Sequence, residues 1–506
     1  MDDELGDDLF RSTSRSESPP TSPRRDAPVD AEGYTDNLLE LIEFLKKTDG
    51  LKMFKSAYRE NMLYKVERYR ELAQKAEEDV AHQQTIIELK RPALKAVSRV
   101  SDDTDNWSIF ESIGKGYMDA KDRASAFGAV RERAETQLRG SMGFEKLEAK
   151  DEAFALRDAL VEALHNLSNF ASQSHIVATV VDIVGAFFKN PKLIQTKFMN
   201  FMMVGAAGTG KTTIAAAISR VFARAGMFVG DKVIDAGRAE FVGEYEGQTV
   251  ARTRNFLVSN LDRGVVFIDE AYALTAWNEG KPEGYGSEAV TAMVEFMTRY
   301  KGLYCIITAG YEKEMTRYFL PTNPGLTRRF PYRFVLKDLS TDDLLYVFAR
   351  TLLTEQGIEV RSGRQPELDS DAYFTDEAWE YLGDLLTACT GGEITYDDEE
   401  YDRATRLTYK RVRRFKPTFP LLYRLFENQA GSMTNLAEEA VTVLMRTVTY
   451  KDAAAVAQKT KGIARATVRM AQPRSVMRDI VVQRIRNSAL SEASDYLDEL
   501  DNAESA

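Results

Sequence analysis

Cysteine, histidine and long apolar runs are scarce in this chain of 506 residues. The two cysteines, Cys305 and Cys389, are too few for a disulfide framework, which favours a reducing compartment. The three histidines lie far apart and have no metal-ligand spacing. No apolar run reaches the roughly 18 residues that a membrane helix needs, and no apolar segment of a signal peptide follows the acidic first residues. We therefore expect a cytoplasmic protein.

A net positive charge is also missing, since 67 Lys and Arg residues stand against 78 Asp and Glu residues, a formal charge of -11. This balance argues against a surface built mainly to bind nucleic acid. Apolar residues make up 44% of the chain, which is enough for domains with large cores. At roughly 100–200 residues per domain, the length predicts about two to four domains.

The composition changes along the chain. The first residues are rich in Ser, Pro, Asp and Arg and bury too little apolar surface to offset chain entropy. Apolar residues at helical spacing follow, and strands predicted at Phe198–Val204, Phe228–Ile234, Gly264–Ile268 and Tyr304–Thr308 then alternate with helices, which is typical of a doubly wound parallel sheet. The predicted organisation is a disordered tail (1–35), an all-helical N-terminal module (36–143), a large α/β domain (144–335), a helical lid with a charged insertion (336–470) and a helical, acidic C-terminal tail (471–506).

A phosphate-binding pattern, GxxxxGK[ST], lies between the first predicted strand and an alanine-rich helix. Its glycines allow backbone N–H groups to turn toward phosphate oxygens, and the helix N-terminus adds a field that favours anions. In this pattern Lys211 reaches the β- and γ-phosphates of ATP, and the Thr212 hydroxyl holds Mg²⁺. The predicted nucleotide-binding residues are Gly205, Ala206, Ala207, Gly208, Thr209, Gly210, Lys211, Thr212 and Thr213.

Two acidic residues, Asp269 and Glu270, follow the third predicted strand. Because the C-terminal ends of parallel strands face the ligand crevice, we expect both carboxylates beside the phosphate loop. Asp269 is predicted to hold the Mg²⁺ shell, and Glu270 to polarise the attacking water as the general base. The sequence therefore predicts an ATP hydrolase with ATP and Mg²⁺ as its cofactors.

Four segments beyond the phosphate loop resemble one family. They read DEAYAL at 269–274, YGSEAV at 285–290, AGYEKEM at 309–315 and NPGLTRRFP at 323–331. Together they are similar to the CbbX/SpoVK-like AAA+ ATPases, which include activators of the carbon-fixing enzyme Rubisco. The resemblance implies a P-loop AAA+ domain with a C-terminal helical lid. It also implies an ATP-driven homo-oligomeric ring, usually a hexamer, that remodels a protein partner.

The resemblance also implies roles for single residues. In such rings an arginine from one subunit completes the neighbouring site, and Arg329 matches that arginine. Arg328 is the second candidate, because Thr327 stands where the family's first arginine is expected. Tyr245 takes the place of the aromatic residue that faces the central pore, although Glu246 follows it instead of an apolar residue.

Two sensor positions depart from the family pattern. Thr308 is the candidate for the polar sensor residue at the end of the fourth strand. Thr434 stands where the lid arginine is expected. Either Arg446 replaces that arginine, or the lid is only weakly coupled to the nucleotide.

A basic run, Lys410–Lys416, follows an acidic stretch at Asp397–Asp402. Such a run is typical of a nuclear targeting signal or a nucleic-acid patch, but we interpret it as a charged insertion whose acids and bases are partly paired. The favoured function is protein remodelling, with no membrane partner and no expected nucleic-acid partner. A nucleic-acid-directed loader, a slow ATP-binding scaffold and a nuclear location remain open.

Overall fold

A computed structural model describes residues 31–97, 104–142, 150–168, 170–243, 245, 247–275, 277–278, 281–282, 284–356, 376–390, 393–402, 407–414, 420–447, 474–488 and 493–505. Most of the predicted disordered tail, at 1–30, lies outside these residues. The first helix begins at Ala31, so it includes the last five residues of the segment that we predict to be disordered (31–35).

Three helices form the N-terminal part, in agreement with the helical spacing in its sequence. They are α1 (Ala31–Lys46), α2 (Thr48–Val97) and α3 (Thr104–Met142). Helices α2 and α3 run antiparallel along each other, as contacts between Arg70 and Glu135 and between Gln84 and Tyr117 show. Within the described ranges, no helix combines the length and apolar character that crossing a membrane requires.

A parallel five-stranded sheet forms the centre of the α/β part, which confirms the predicted fold class. The strands are β1 (Phe201–Val204), β2 (Lys232–Asp235), β3 (Gly264–Ile268), a short hairpin of β4 (Trp277–Asn278) and β5 (Lys281–Pro282), β6 (Cys305–Gly310) and β7 (Tyr332–Val335). The order of the strands in the sheet is β2-β3-β6-β1-β7. The helices are α4 (Lys150–Ser168), α5 (Ser174–Lys189), α6 (Lys192–Thr196), α7 (Lys211–Arg224), α8 (Arg238–Phe241), α9 (Thr249–Ser259), α10 (Gly284–Arg299), α11 (Glu312–Glu314) and α12 (Leu326–Arg329).

The strand boundaries differ from the prediction in several places. Strand β1 begins at Phe201 rather than Phe198. Strand β2 begins at Lys232 rather than Phe228, because the Val229 N–H bonds the Asp262 carboxylate instead of a neighbouring strand. Strand β6 continues to Gly310, two residues beyond Thr308. Strand β7 was not predicted, because it has only four residues whose burial alternates, and it lies at the edge of the sheet.

The helical module packs on the α/β part, and both share one hydrophobic core. At their junction Lys65 of α2 donates to both carboxylate oxygens of Asp262, at 2.7 and 2.6 Å, with both side chains fully buried. The Tyr69 hydroxyl donates to the same carboxylate at 2.6 Å. The Asn61 amide donates to the Gly226 carbonyl oxygen at 2.8 Å. Polar contacts therefore fix α2 against the loops that precede β2 and β3.

The lid has its own apolar core. Its elements are α13 (Thr341–Gln356), α14 (Asp376–Thr390), the hairpin β8 (Glu393–Asp402) and β9 (Leu407–Arg414), α15 (Pro420–Arg424), α16 (Gln429–Thr447) and the helices Arg474–Ser488 and Ala493–Ser505. The acidic C-terminal segment ends in a helix that buries Tyr496 and Leu500 in the lid core. The domain boundaries themselves stay predictions.

Candidate nucleotide-binding site

The phosphate loop connects the end of β1 to the start of α7. Gly208 and Gly210 have φ values of 72° and 86°, which L side chains adopt only with strain. Lys211 begins α7, so the free N–H groups of its first turn point toward the loop. The Thr209 hydroxyl donates to the Ala206 carbonyl oxygen at 2.9 Å and stabilises the curve of the loop. Such a loop at a helix N-terminus can hold a phosphate group.

The Lys211 side chain lies against this loop. Its Nζ donates to the carbonyl oxygens of Gly205 and Ala206, at 3.2 and 2.8 Å. Burial lowers the pKa of the ammonium group, and the negative charges of Asp269 and Glu270 oppose that change. The cation thus lies between the loop backbone and two carboxylates, where it can contact phosphate oxygens.

Asp269 and Glu270 follow directly after β3 and are both exposed. The Asp269 carboxylate accepts the Glu270 N–H at 2.9 Å. Glu270 has a φ of 47°, which is uncommon for a residue with a side chain and is often found at functional sites. Because β1, β6 and β3 are parallel neighbours, both carboxylates reach the sheet edge that carries the phosphate loop.

One cavity of about 390 Å³, which we call the phosphate cavity, collects these groups. The Thr212 hydroxyl and the Asp269 carboxylate both line it, and oxygen ligands of these two kinds fit Mg²⁺ held between protein and phosphates. The lining residues are Ala207, Gly208, Gly210, Lys211, Thr212, Thr213, Asp269, Glu270, Gly310, Tyr311, Ala430, Gly431 and Thr434.

A second cavity of about 390 Å³, which we call the base cavity, adjoins the first. Both cavities are lined by Gly210, Thr213, Ala430 and Thr434. The base cavity is flanked by apolar and aromatic side chains from the segment before α5 and from the lid, as small-molecule pockets usually are. Its other lining residues are Phe170, Ser172, Gln173, Thr209, Leu339, Asp343, Tyr346, Val347, Arg350 and Thr351.

The comparisons with known proteins agree with this geometry. A model of the ATPase family associated with various cellular activities (AAA) matches residues 201–331. Stage V sporulation protein K of Bacillus subtilis is 31% identical over 225 residues. This chain contains an AAA ATPase domain, and it is similar to the CbbX/SpoVK-like AAA+ ATPases.

Other AAA+ relatives match over shorter stretches. ESX-1 secretion system protein EccA1 of Mycobacterium tuberculosis (strain H37Rv) is 37% identical over 160 residues, which are 31% of this chain and 27% of that protein. Protein CfxQ homolog of Cyanidium caldarium is 33% identical over 158 residues, which are 31% of this chain and 54% of that protein. The match to the sporulation protein covers 43% of this chain and 66% of that protein. In each case the matched part spans less than two thirds of the relative.

The lid contacts the phosphate loop directly. The Ala430 N–H donates to the Gly208 carbonyl oxygen at 3.1 Å. A Cβ atom on Gly208 would lie 1.8 Å from the Asn428 carbonyl oxygen, so glycine is required there. Gln429 has a φ of 44°, and its side chain bonds the Leu339 N–H and the Asp338 carboxylate at 2.7 and 2.9 Å. No sequence motif marks this turn, so it was not predicted.

The two expected sensor positions both hold threonine, Thr434 where a lid arginine is expected and Thr308 where a polar residue is expected. Thr434 lines both cavities, and its hydroxyl donates to the Ala430 carbonyl oxygen at 3.1 Å. The Arg446 side chain lies outside the described part of the chain. Thr308 is fully buried within the sheet, where its hydroxyl has no hydrogen-bond partner among the described residues. The cavity is instead lined by Gly310 at the end of β6, so Thr308 stays a sensor prediction that this structure does not bring to the cavity.

The two candidate arginines differ in their surroundings. Arg328 is exposed on α12. Arg329 is half-buried and donates to the Gly325 carbonyl oxygen at 3.1 Å and to the Thr298 hydroxyl at 2.8 Å. The Arg329 carbonyl oxygen accepts a hydrogen bond from the buried Asn200 amide at 2.8 Å, which ties α12 to the sheet. Neither arginine lines the cavities of its own chain.

Two tyrosines, Tyr245 and Tyr311, have accessible positions that bear on the site. Tyr245, between α8 and α9, is 68% exposed. Tyr311, which sequence reasoning did not assign, follows β6, lines the phosphate cavity, and has its ring centre 5.9 Å from the Lys211 Nζ. Its position three residues beyond the predicted end of the fourth strand, at the ligand edge of a parallel sheet, could have identified it.

Proposed function

We propose that this protein hydrolyses ATP to ADP and phosphate in an oligomeric ring and uses the energy to remodel a protein partner. The observation that carries the proposal is the phosphate cavity, where the loop, both acidic residues and the lid meet. A site built from both the sheet and the lid lets a change in the nucleotide alter the angle between two domains. That change of angle is the motion that would act on a partner.

The residues of the cavity divide the chemistry between them. Lys211 and the N–H groups of the loop bind and orient the β- and γ-phosphates. Thr212 and Asp269 would hold Mg²⁺, which neutralises phosphate charge when it is bound. Glu270 accepts a hydrogen bond from the attacking water and takes its proton as the bond to phosphorus forms. The base cavity holds the rest of the nucleotide beside the lid.

An arginine of α12 would complete the site of the neighbouring subunit. A guanidinium stabilises negative charge on the transferring phosphoryl group, and supplying it from a neighbour makes hydrolysis depend on assembly. Arg329 is the main candidate from the motif. Arg328 is the second, and its exposure supports keeping it.

Tyr245 would contact the protein partner. An exposed aromatic side chain can bind an extended polypeptide without reading its sequence, because apolar contact is non-directional. We use fluorescein-labelled casein as the probe, and expect Tyr245→Ala to weaken its binding in the presence of ATP. Casein binding that is unchanged in this variant contradicts the assignment.

The basic run gives little support to the alternative function, a nucleic-acid-directed loader. Strand β9 pairs its backbone with the acidic strand β8, with Glu399 opposite Lys410 and Glu393 opposite Arg414. Bases opposite acids argue for the charged-insertion interpretation. Stimulation of hydrolysis by nucleic acid that falls steeply with salt would favour the loader instead.

The test of ATP hydrolysis is the Glu270→Gln variant. We expect hydrolysis to fall by at least about 100-fold while ATP binding is kept, because the loop and Asp269 are intact. The matched control is Glu295→Gln. Glu295 is an exposed residue of α10 that does not line the cavity, and its carboxylate lies 3.4 Å from the Arg254 guanidinium. Equal rates in the two variants would contradict the role of Glu270, and slow wild-type turnover with tight ATP-dependent assembly would favour a scaffold.

A further inference from the structure

The lid reaches the phosphate cavity mainly with backbone groups. In the described part of the chain, the lid residues that line this cavity are Ala430, Gly431 and Thr434. Alanine and glycine have no polar side-chain atoms, and the Thr434 hydroxyl already donates to the Ala430 carbonyl oxygen at 3.1 Å. A neutral hydroxyl that is bonded in this way attracts phosphate far less than a guanidinium does. Contact between the lid and the phosphates therefore depends on where the backbone of the lid is held.

This part of the lid backbone is a turn at 428–431, which we call the lid turn. The Ala430 N–H donates to the Gly208 carbonyl oxygen of the phosphate loop at 3.1 Å. The Asn428 carbonyl oxygen lies so close to Gly208 that a Cβ atom on the glycine would be 1.8 Å from it. The phosphate loop and the lid turn are thus neighbouring walls of one cavity, and a phosphate group placed there can contact both.

The side chain of Gln429 ties the lid turn to the segment that joins the lid to the sheet. This segment, the linker (336–340), runs from the end of β7 to the start of α13. The Gln429 side-chain oxygen accepts the Leu339 N–H at 2.7 Å, and its amide donates to the Asp338 carboxylate at 2.9 Å. The backbone of Gln429 has a φ of 44°, which is costly for a residue with a side chain and persists where contacts hold it.

The linker in turn is fixed to the α/β part. Gln173, which is buried, donates to the Lys337 carbonyl oxygen at 2.7 Å and accepts the Lys337 N–H at 3.1 Å. The Leu336 N–H donates at 2.7 Å to the carbonyl oxygen of Val204, the last residue of β1 before the phosphate loop. The two bonds of Gln429 therefore connect the lid turn, through the linker, to the strand that carries the phosphate loop.

We propose that Gln429 is a positioning residue that holds the lid turn on the phosphate loop, so that the lid follows the nucleotide through its backbone. The inference rests on the proposed function, since it takes the phosphate cavity as the ATP site and the lid as the moving part. With Gln429 in place, the lid turn is formed before ATP arrives. Without it, binding must also order the turn, which lowers the apparent affinity.

The first test measures ATP binding and hydrolysis by Gln429→Gly in the full chain. Glycine adopts a φ of 44° without strain, so the substitution removes two hydrogen bonds and does not distort the backbone. We expect the affinity for a fluorescent ATP analogue to fall about tenfold. Single-turnover hydrolysis at saturating MgATP should stay within about threefold of wild type, because Lys211, Asp269 and Glu270 are unchanged.

The second test follows the lid itself, by the distance between two spin labels. Ser259→Cys on α9 and Asp479→Cys on the lid helix Arg474–Ser488 provide exposed sites, and both native cysteines are buried. In the protein that keeps Gln429, the distance with ADP should differ from the distance with a non-hydrolysable ATP analogue. In Gln429→Gly the two distance distributions should coincide. This measurement requires no hydrolysis.

A swapped pair separates positioning from a general loss of stability. Gln429→Glu places a second carboxylate beside Asp338, and we expect it to lower ATP affinity as Gln429→Gly does. Adding Asp338→Asn gives the new carboxylate two donors, the Leu339 N–H and the asparagine amide. We expect affinity to return to within about threefold of wild type, a recovery that two independent destabilising changes would not produce.

The matched control is Gln483→Ala, which removes a lid side chain whose amide contacts Asn487 at 3.0 Å and no part of the linker. It should bind ATP as the wild type does. The inference is overturned by unchanged affinity in Gln429→Gly, by a lid distance that ignores the nucleotide in the presence of Gln429, or by a swapped pair without recovery. If Glu270→Gln keeps full hydrolysis while the lid response still requires Gln429, the proposed chemistry fails and the lid coupling stands.

Discussion

The buried ion pair between Lys65 and Asp262 joins the helical module to the α/β part, and removing one partner tests that attachment. Lys65→Met replaces the ammonium group with an apolar end and leaves the Asp262 carboxylate buried. The carboxylate keeps two donors, the Val229 N–H at 3.0 Å and the Tyr69 hydroxyl at 2.6 Å. Its charge, however, no longer has a counter-ion.

The cost follows from the burial of both side chains, which are 0% exposed. Breaking a buried pair from one side costs about 3–5 kcal/mol, because an uncompensated charge remains in a medium of low polarity. Burial lowers the pKa of Lys65, and the Asp262 charge acts in the opposite direction, so the ammonium group depends on its partner. Replacing both partners, as Lys65→Met with Asp262→Asn, should recover most of the loss. Asparagine also tolerates the φ of 55° at that position.

The assay is guanidinium unfolding, followed by the fluorescence of Trp107 in α3 after the other two tryptophans are replaced. The matched control is Lys52→Met on the same helix, which removes a pair with Asp49 whose side chains are 73% and 84% exposed. Exposed pairs are worth at most about 1 kcal/mol, so this control should unfold near the wild-type midpoint. Equal effects of Lys65→Met and Lys52→Met, or no recovery in the double variant, would refute the reasoning.

Three further variants test other parts of the account. Burial lowers the pKa of His175 from 6.5, so the contribution of the neutral side chain to stability is fully present above about pH 6.5 and is lost as the pH falls through the lower pKa of the folded state. His175→Phe should therefore reduce the fall in thermal midpoint at acidic pH. An identical pH profile in the variant and the wild type contradicts this. Gly208→Ala should lower ATP affinity more than Gly210→Ala, since only the first places a Cβ against the Asn428 carbonyl oxygen; equal affinities would argue against the lid contact. Asn200→Ala should destabilise the protein by about 2 kcal/mol in denaturant unfolding, because it leaves buried backbone groups of α12 and β6 unbonded; a loss below about 0.5 kcal/mol would not fit.

The phosphate loop and the carboxylates could be predicted because their chemistry fixes the local order of residues. A strand must deliver Gly205, a helix must begin at Lys211, and Asp269 must follow a neighbouring parallel strand. The order of these elements in the sequence was therefore enough to predict the cavity. It was also enough to predict the fold class.

The rest depends on contacts between distant residues. Lys65 has the appearance of an ordinary exposed residue of a charged helix, and only folding brings it to Asp262. Gln429 shows no turn signal, yet it takes a φ of 44° where the lid meets the phosphate loop. The acidic C-terminal tail was predicted to be helical, but the packing of its few apolar residues in the lid core is a tertiary contact that composition does not reveal.

The most direct test of the shared site is ATP hydrolysis by a mixture of Glu270→Gln and Arg329→Ala, each inactive alone. In a ring whose sites lie between subunits, a Glu270→Gln subunit can supply its arginine to a neighbour that keeps Glu270. Random mixing in equal amounts should restore about a quarter of the wild-type rate. The same mixture with Arg328→Ala tests the second candidate. The account predicts recovery with one of the two arginine variants, and mixtures that stay as inactive as their components would contradict it.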